Sequence, residues 1–287
     1  MSADITASDA PQQAGAAAST DADRLSTKVT PLVITFNEEA NLPRTLASLH
    51  WARRIVLVDS GSTDSTLAIA AADRRVQVYH RQFDGFASQC MFGLAQIKTE
   101  WALSIDADYE LSVDLIAELH TLRLDDGTAG YSAPFVYCIH GRPLRGSLYP
   151  PRTVLYRRHL AQYRNEGHGH RVSISGPVAC LRSSVRHDDR KPLSNWLASQ
   201  LKYASVEAEH LLRCSRSELR AQDRLRLVGW PAPFVVLIYV LFGKGCILDG
   251  KAGLHYALQR MLAEVLLALE LVDRRFSASV DRRRIEG

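Results

Sequence analysis

Apolar and polar positions along the 287-residue chain fall into blocks. Four short runs, 31–36 ("PLVITF"), 54–59 ("RIVLVD"), 75–79 ("RVQVY") and 101–105 ("WALSI"), are apolar and end abruptly at polar residues. Runs of this length, rich in Val and Ile, predict buried strands. Between them, 40–49, 63–72 and 86–97 carry apolar residues at helical spacing. Strands alternating with helices predict an α/β fold whose mostly parallel sheet is flanked by helices, with right-handed crossovers. In such a sheet Asn37, Asp59 and Asp106 all fall at the carboxyl ends of strands, where ligands bind. Burial of the strands accounts for Val33, Ile34, Val56 and Val58 but not for these polar residues.

A further helix is predicted over 112–123, with Ser112 as its N-cap. Residues 129–181 change character to short β-like segments separated by Gly and Pro, completing the same domain. Helix resumes over 192–220. The stretch 228–250 holds an apolar run from Pro231 to Gly243, shorter than the roughly 20 residues that span a bilayer as a helix. Trp230 and Lys244 bracket it. The pattern predicts a re-entrant or interfacial helix pair, with a buried core helix as the alternative. Arg213, Arg216, Arg220, Arg224, Arg226, Arg274, Arg275 and Arg282 to Arg284 flank it, which suits an anionic membrane surface.

Composition adds limits. Hydrophobic residues make up 46% and charged residues 23%, enough for a sizeable core. A net charge of +4 is too mild to indicate nucleic acid. Five dispersed cysteines with no CxxC spacing fit a reducing compartment and argue against a disulfide framework or zinc site. Residues 1–27 are polar and small, with no basic start leading into an apolar core. They are expected to form a disordered tail rather than a signal peptide. The chain then divides into this tail, an α/β domain over 28–190 and a helical extension over 191–287. The expected location is the cytoplasmic face of the inner membrane, peripheral or monotopic.

"SIDADYE" (104–110) sets Asp106 and Asp108 one residue apart after the fourth strand. An Asp-x-Asp of this kind holds Mg²⁺ or Mn²⁺ while a diphosphate completes the coordination shell. In "VLVDSGSTDST" (56–66), Asp59 closes a strand, Gly61 permits a tight turn, and Ser62 to Asp64 begin the next helix. No GxGxxG follows the first strand, and no GxxxxGK[ST] or GxSxG is present. Dinucleotide oxidoreductases, P-loop NTPases and serine hydrolases are therefore unsupported.

Together, "TFNEEANLPRTLASL", "IVLVDSGSTDST", "FASQCMFGL" and "WALSIDADYEL" resemble the nucleotide-sugar half of family-2 glycosyltransferases of the GT-A fold. The similarity runs from 31 to about 120 and is greatest to the lipopolysaccharide-core β-glycosyltransferase branch. "GCILDGKAG" (245–253) resembles, more loosely, a GxxDG turn of that branch. The resemblance implies that Thr35, Asn37, Glu38 and Asp59 contact the base and ribose of a uridine-type donor, with Gln89 in the same pocket. It implies that Asp106 faces the ribose and that Asp108, with His187, serves the metal and diphosphate.

Relatives place the catalytic base in a His-Glu pair before a short strand. Here "NEGHGHRVSISG" (165–176) sets His170 at the Glu position, a departure from the pattern. His170 is a base candidate in its own right, with Glu166, His168 and Asp188 as others. Asp188 and Asp189 are alternatively partners for Arg186 and Arg190. Arg142, Arg145 and Arg152 are available for a phosphate-bearing substrate or as a solvated basic loop.

The expected activity is inverting transfer of a sugar from a nucleotide diphosphate, most simply UDP-linked, to a lipid-linked or lipopolysaccharide-type acceptor. A polyprenyl-phosphate sugar synthase, a metal-dependent nucleotidyltransferase and a non-enzymatic binding module are the rival readings.

Overall fold

The computed structural model describes residues 25–286 except 125, 126, 167, 168, 216 and 218. The four predicted strands form as β1 (Val29–Thr35), β2 (Ile55–Asp59), β3 (Val76–His80) and β4 (Trp101–Asp106). β1 pairs parallel with both β2 and β4, and β2 pairs parallel with β3. The helices between them are α1 (Leu42–Ser48), α2 (Thr66–Ala72) and α3 (Phe86–Gln96). Both faces of the sheet are buried, so β1 and β2 read as continuous apolar runs rather than alternating ones. One face packs Val33, Ile55, Leu57 and Leu103 against Leu42 and Leu46 of α1. The other packs Leu32, Val56 and Val58 against Cys90 and Leu94 of α3.

After β5 (Tyr109–Leu111) and α4 (Val113–Thr121), the β-rich region does finish the same domain, but it divides three ways. β6 (Gly130–Ala133), β9 (Arg152–Arg157) and β12 (Val178–Cys180) extend the main sheet to the order β12-β6-β9-β4-β1-β2-β3, with β9 antiparallel to its neighbours. β7 (Phe135–Ile139), β8 (Arg142–Pro143) and β13 (Val185–His187) join β5 in a four-stranded sheet. β10 (Ala161–Glu166) and β11 (Gly169–Ile174) form an antiparallel hairpin, which places Tyr163, Val172 and Ile174 among the residues packed at α3. Ser112 caps α4 as predicted, accepting a hydrogen bond from the Leu115 N–H at 3.1 Å.

Two boundaries differ from expectation. The tail expected over 1–27 does not reach residue 27: residues 25–28 form a helical turn, and Leu25 is buried in the main core beside Val29. Residues 1–24 lie outside the described residues. The single helix expected over 192–220 is instead α5 (Leu193–Arg213) followed, after a break, by α6 (Ala221–Val228). Leu219, in the break, turns into a core shared with Leu211, Leu267 and Leu271, and that packing outweighs continuation of the helix.

The C-terminal region consists of α7 (Pro231–Ile238), a π-helical turn (Tyr239–Gly243), a 3₁₀ turn (Cys246–Asp249) and α8 (Gly250–Glu286). Among the described residues no single helix is long and apolar enough to cross a membrane. Pro231–Gly243 and Cys246–Ala278 pass that test only as a pair, bent by 72°. Leu254, Leu258, Leu262, Val265, Leu269, Val272 and Phe276 make one exposed stripe along α8. Phe234, Ile238, Phe242 and Leu248 are exposed before it, and Trp230 is 75% exposed.

The "GCILDGKAG" segment explains its own composition. Gly245 and Gly250 sit at φ of 72° and 58°, which only glycine adopts without cost. Asp249 accepts a hydrogen bond from the Arg145 N–H at 3.0 Å, and the Cys246 thiol donates to the Gly146 carbonyl at 3.1 Å. A Cβ on Gly253 would collide with the backbone carbonyl of Cys246. Gly253→Ala is therefore expected to destabilise the fold by about 1–3 kcal/mol, read as a lowered Tm. An unchanged Tm would contradict the close approach of α8 to the turn.

Several arginines expected on a basic membrane face are engaged inside the protein. Arg226 binds Glu264 at 2.6 Å and Glu207 at 3.4 Å, and Arg274 donates to Ser205 and Glu270. The partners of Arg226 lie on α8 and α5, a pairing that local sequence does not reveal, whereas Glu270 stands four residues before Arg274 on the same helix. Arg216 lies outside the described residues.

Candidate active site

The parallel register brings the acidic residues to one edge. Thr35 pairs with Asp59, and Ile34 with Asp106, so β1, β2 and β4 end together. Asp59 is fully buried, and its carboxylate accepts from the Gly61 N–H at 2.9 Å and the Ser62 N–H at 3.0 Å. His80 Nδ1 lies 3.5 Å from the same carboxylate. Asn37 sits at φ of 52° and accepts from the Thr63 N–H at 2.8 Å, so the turns after β1 and β2 lock together. Gln89 donates to Ser60 at 3.1 Å and to the Arg81 carbonyl at 2.9 Å. Its Oε1 and the Thr35 hydroxyl are buried without a partner.

Asp108 and His187 meet at this edge. β13 lies between β5 and β7, setting His187 in register with Tyr109 on one side and Tyr137 on the other. His187 Nε2 is 3.0 Å from Asp108 Oδ2, and the rings of Tyr137, Tyr149 and Tyr109 stand edge-on around the imidazole at 4.8, 4.9 and 5.1 Å. Burial disfavours charge on both partners, yet each stabilises the other's charge. The Asp108 carboxyl is held below its ordinary range, with Lys191 assisting, and the His187 imidazole is held above its own.

Whether these residues suit a divalent cation follows from donors and spacing. Asp108 Oδ1 is buried and has no partner. Loss of the proton shared by Asp108 Oδ2 and His187 Nε2 would free both atoms as donors to one cation. No group of three or more His, Cys, Asp or Glu side chains is placed to hold a metal among the described residues. The pair thus fits a cation that takes its remaining ligands from a diphosphate and water, not one held by protein alone.

Glu38 is nearly buried at the same edge. Its carboxylate accepts from Lys191 Nζ at 2.6 Å and from the Asn41 side chain at 2.8 Å. Burial, then repulsion from Asp108, pushes its carboxyl up to about 7, with Lys191 opposing. Between the ordinary value of 4.5 and that value, the folded protein holds a proton that the unfolded chain has released. Stability from this group is complete below the lower value and is lost as pH rises through the upper one. Without nucleotide or metal, Tm is expected to fall between pH 5 and 8, and Glu38→Gln is expected to flatten that fall. Parallel curves for the two proteins would contradict the assignment.

The remaining base candidates fare differently. Asp188 is only 2% exposed, and its carboxylate accepts from Arg44 at 2.9 Å, from Arg190 Nε at 2.8 Å and from the Gly141 N–H at 3.1 Å. Two guanidiniums on Oδ2 stabilise the charged carboxylate and weaken it as a base, which favours a structural role for Asp188 over the expected catalytic one. Glu166 and His170 occupy facing ends of the β10–β11 hairpin, where Asn165 pairs with His170 and Glu166 with Gly169. Their side chains, and all of His168, lie outside the described residues. Arg145 is paired with Asp249, and Arg152 stacks on Tyr149 at 4.7 Å.

Asn41, Arg44 and Lys191 were not legible as site residues. Asn41 is fully buried and links Glu38, Asp189, Arg44 and the Arg190 N–H. Only the "NEEAN" context hinted at it.

An acidic carboxyl edge on this α/β layer is where a fold of this kind binds its ligand. Residues 32–188 match the model of glycosyl transferase family 2. The chain belongs to that family. An uncharacterized glycosyltransferase of Rickettsia typhi, RT0209, is 34% identical over 75% of this chain and 79% of its own length. The lipopolysaccharide core biosynthesis glycosyltransferase LpsC of Rhizobium meliloti is 35% identical, over 45% of this chain and 47% of LpsC. Among solved structures, S. aureus TarS bound to UDP-GlcNAc covers 86% of this chain and 92% of its own, with TM-score 0.45 and 15% identity. The Mycobacterium tuberculosis glucosyl-3-phosphoglycerate synthase bound to Mn²⁺, UDP and phosphoglyceric acid covers 68% and 82%, with TM-score 0.45 and 17% identity.

Proposed function

We propose that the chain transfers a sugar, with inversion, from a nucleoside diphosphate donor, most simply UDP-linked, to a lipid-linked or lipopolysaccharide-type acceptor at the cytoplasmic face of the inner membrane. The observation that carries this reading is the meeting of Thr35, Asp59, Asp106 and Asp108 at one sheet edge, with His187 3.0 Å from Asp108. Asp59 and Asn37 shape the turns against which base and ribose lie, and Thr35 and Gln89 offer buried polar atoms with no partner to the same ligand. Asp108 and His187 would hold Mg²⁺ or Mn²⁺, whose charge offsets that of the departing diphosphate. An inverting transfer also needs a group to take the acceptor hydroxyl proton as its oxygen attacks the anomeric carbon. His170, or Glu166 beside it, supplies that group from the β10–β11 hairpin.

The exposed apolar stripe of α8, continued by Phe242 and Leu248, supports seating on a membrane. The lipopolysaccharide-core relative supports the acceptor class.

The test is product analysis with a UDP-sugar, Mn²⁺ and a lipopolysaccharide-core acceptor preparation. UDP release with an inverted glycosidic bond is expected. Pyrophosphate release would identify a nucleotidyltransferase, and a sugar phosphate ester on a polyprenol would identify the synthase instead.

A further inference from the structure

A second cleft of about 190 Å³ opens between the catalytic domain and the C-terminal helices. Tyr137 and the segment Asp189–Leu193 line one side, and Trp196 of α5 with His255 and Gln259 of α8 line the other. It lies one ring away from the Asp108–His187 pair: Tyr137 stands 4.8 Å from His187 and also 4.8 Å from Tyr256 of α8. Lys191 is shared as well, lining the cleft while its ammonium holds Glu38.

Three side-chain atoms, two in the lining of this cleft and one beside it, lack an explanation within the fold. His255 Nδ1, Gln259 Oε1 and Arg260 Nε are buried and have no hydrogen-bond partner. Buried polar atoms are nearly always paired, and three orphans along one turn and a half of α8 mark a surface made for a ligand. Arg260 packs against rings, lying 5.8 Å from Trp196 and 5.7 Å from Tyr256. His140, on the cleft's rim, has a φ of 48° because it and Gly141, at 80°, form the two-residue turn between β7 and β8.

The chemistry of the lining narrows the ligand. Trp196 and Tyr137 offer ring faces for a sugar. Gln259 Oε1 accepts from a hydroxyl. Burial, then His140, holds the His255 imidazole below its ordinary range, so it is neutral and bonds rather than carries charge. Positive charge in the lining comes from Arg190, which also holds Asp188, and from Lys191, which also holds Glu38. The one acid at the cleft, Asp189, already accepts from Asn41 at 2.9 Å and from the Lys191 N–H at 3.0 Å.

We propose that this cleft is the acceptor subsite and that it takes a sugar bearing an anionic group, phosphate or carboxylate. The inference rests on the reading that the donor occupies the acidic edge. It also gives the helical extension a role in recognition, because half of the cleft belongs to α5 and α8.

The test is ligand-observed saturation-transfer NMR on the full chain with glucose 6-phosphate, glucuronate, glucose and inorganic phosphate. UDP with Mn²⁺ is titrated separately, so failure of the donor reading is seen independently. One or both anionic sugars are expected to bind about tenfold more tightly than glucose, as a charge-assisted hydrogen bond provides. Which of the two binds tells whether the group is a phosphate or a carboxylate. Gln259→Glu and His255→Phe are each expected to weaken that binding about tenfold, and UDP titration of both variants serves as the control for folding. If either variant fails to fold, Gln259→Leu gives the same readout. Glucose or inorganic phosphate binding as well as the anionic sugars would overturn the proposal. So would binding that survives these substitutions.

Discussion

Asp108→Asn is expected to lower sugar transfer by about 10³-fold, the several kcal/mol that a cation on the leaving diphosphate contributes. Asn keeps the size of the side chain and one oxygen, so the fold should hold. The amide removes the charge that sustains His187 above its ordinary range and the oxygen that is buried without a partner. The loss should fall on turnover and on metal-dependent donor binding together. Tm should change little, because the carboxylate and the imidazole form a small island in a well-packed sheet junction. Full activity in this variant would remove the proposed role of the pair.

Asp188→Ala is expected to lower stability by about 1–3 kcal/mol, because it removes the buried carboxylate that half-buried Arg44 and exposed Arg190 share and leaves the Gly141 N–H without its acceptor. The Asp188 backbone N–H also donates to the Asp108 carbonyl at 3.2 Å, so unfolding of this corner would reach the active edge. A catalytic base at this position would behave in the opposite way, with turnover collapsing at constant Tm. Denaturant unfolding alongside initial rates separates the two. A wild-type unfolding curve combined with dead enzyme would return Asp188 to the catalytic residues.

These two carboxylates show what sequence could and could not disclose. Asp108 was legible because it follows a strand whose apolar run stops sharply, and strand ends in a parallel sheet share one edge. The same reasoning located Asp59 and Asp106. The fate of Asp188 depended on Arg44, 144 positions away. Glu38 depended on Lys191, 153 positions away. Such pairings have no period and no local signature, so a motif cannot reveal them. Helix α5 likewise stopped short because Leu219 found a core on α8, a contact visible only once the helices were assembled. Arg226, exposed by pattern, is paired with Glu264 for the same reason. Local chemistry wrote the sheet and its acidic edge, and long-range pairing decided which acids are free to act.

That freedom is the central claim, and calorimetric titration of UDP in the presence of Mn²⁺ tests it most directly. The wild-type protein is predicted to bind UDP only with the metal, and Asp108→Asn to weaken that binding at least about tenfold, the cost of losing a charged ligand. Failure of the wild-type protein to bind UDP, or equal binding by the variant, would contradict the account.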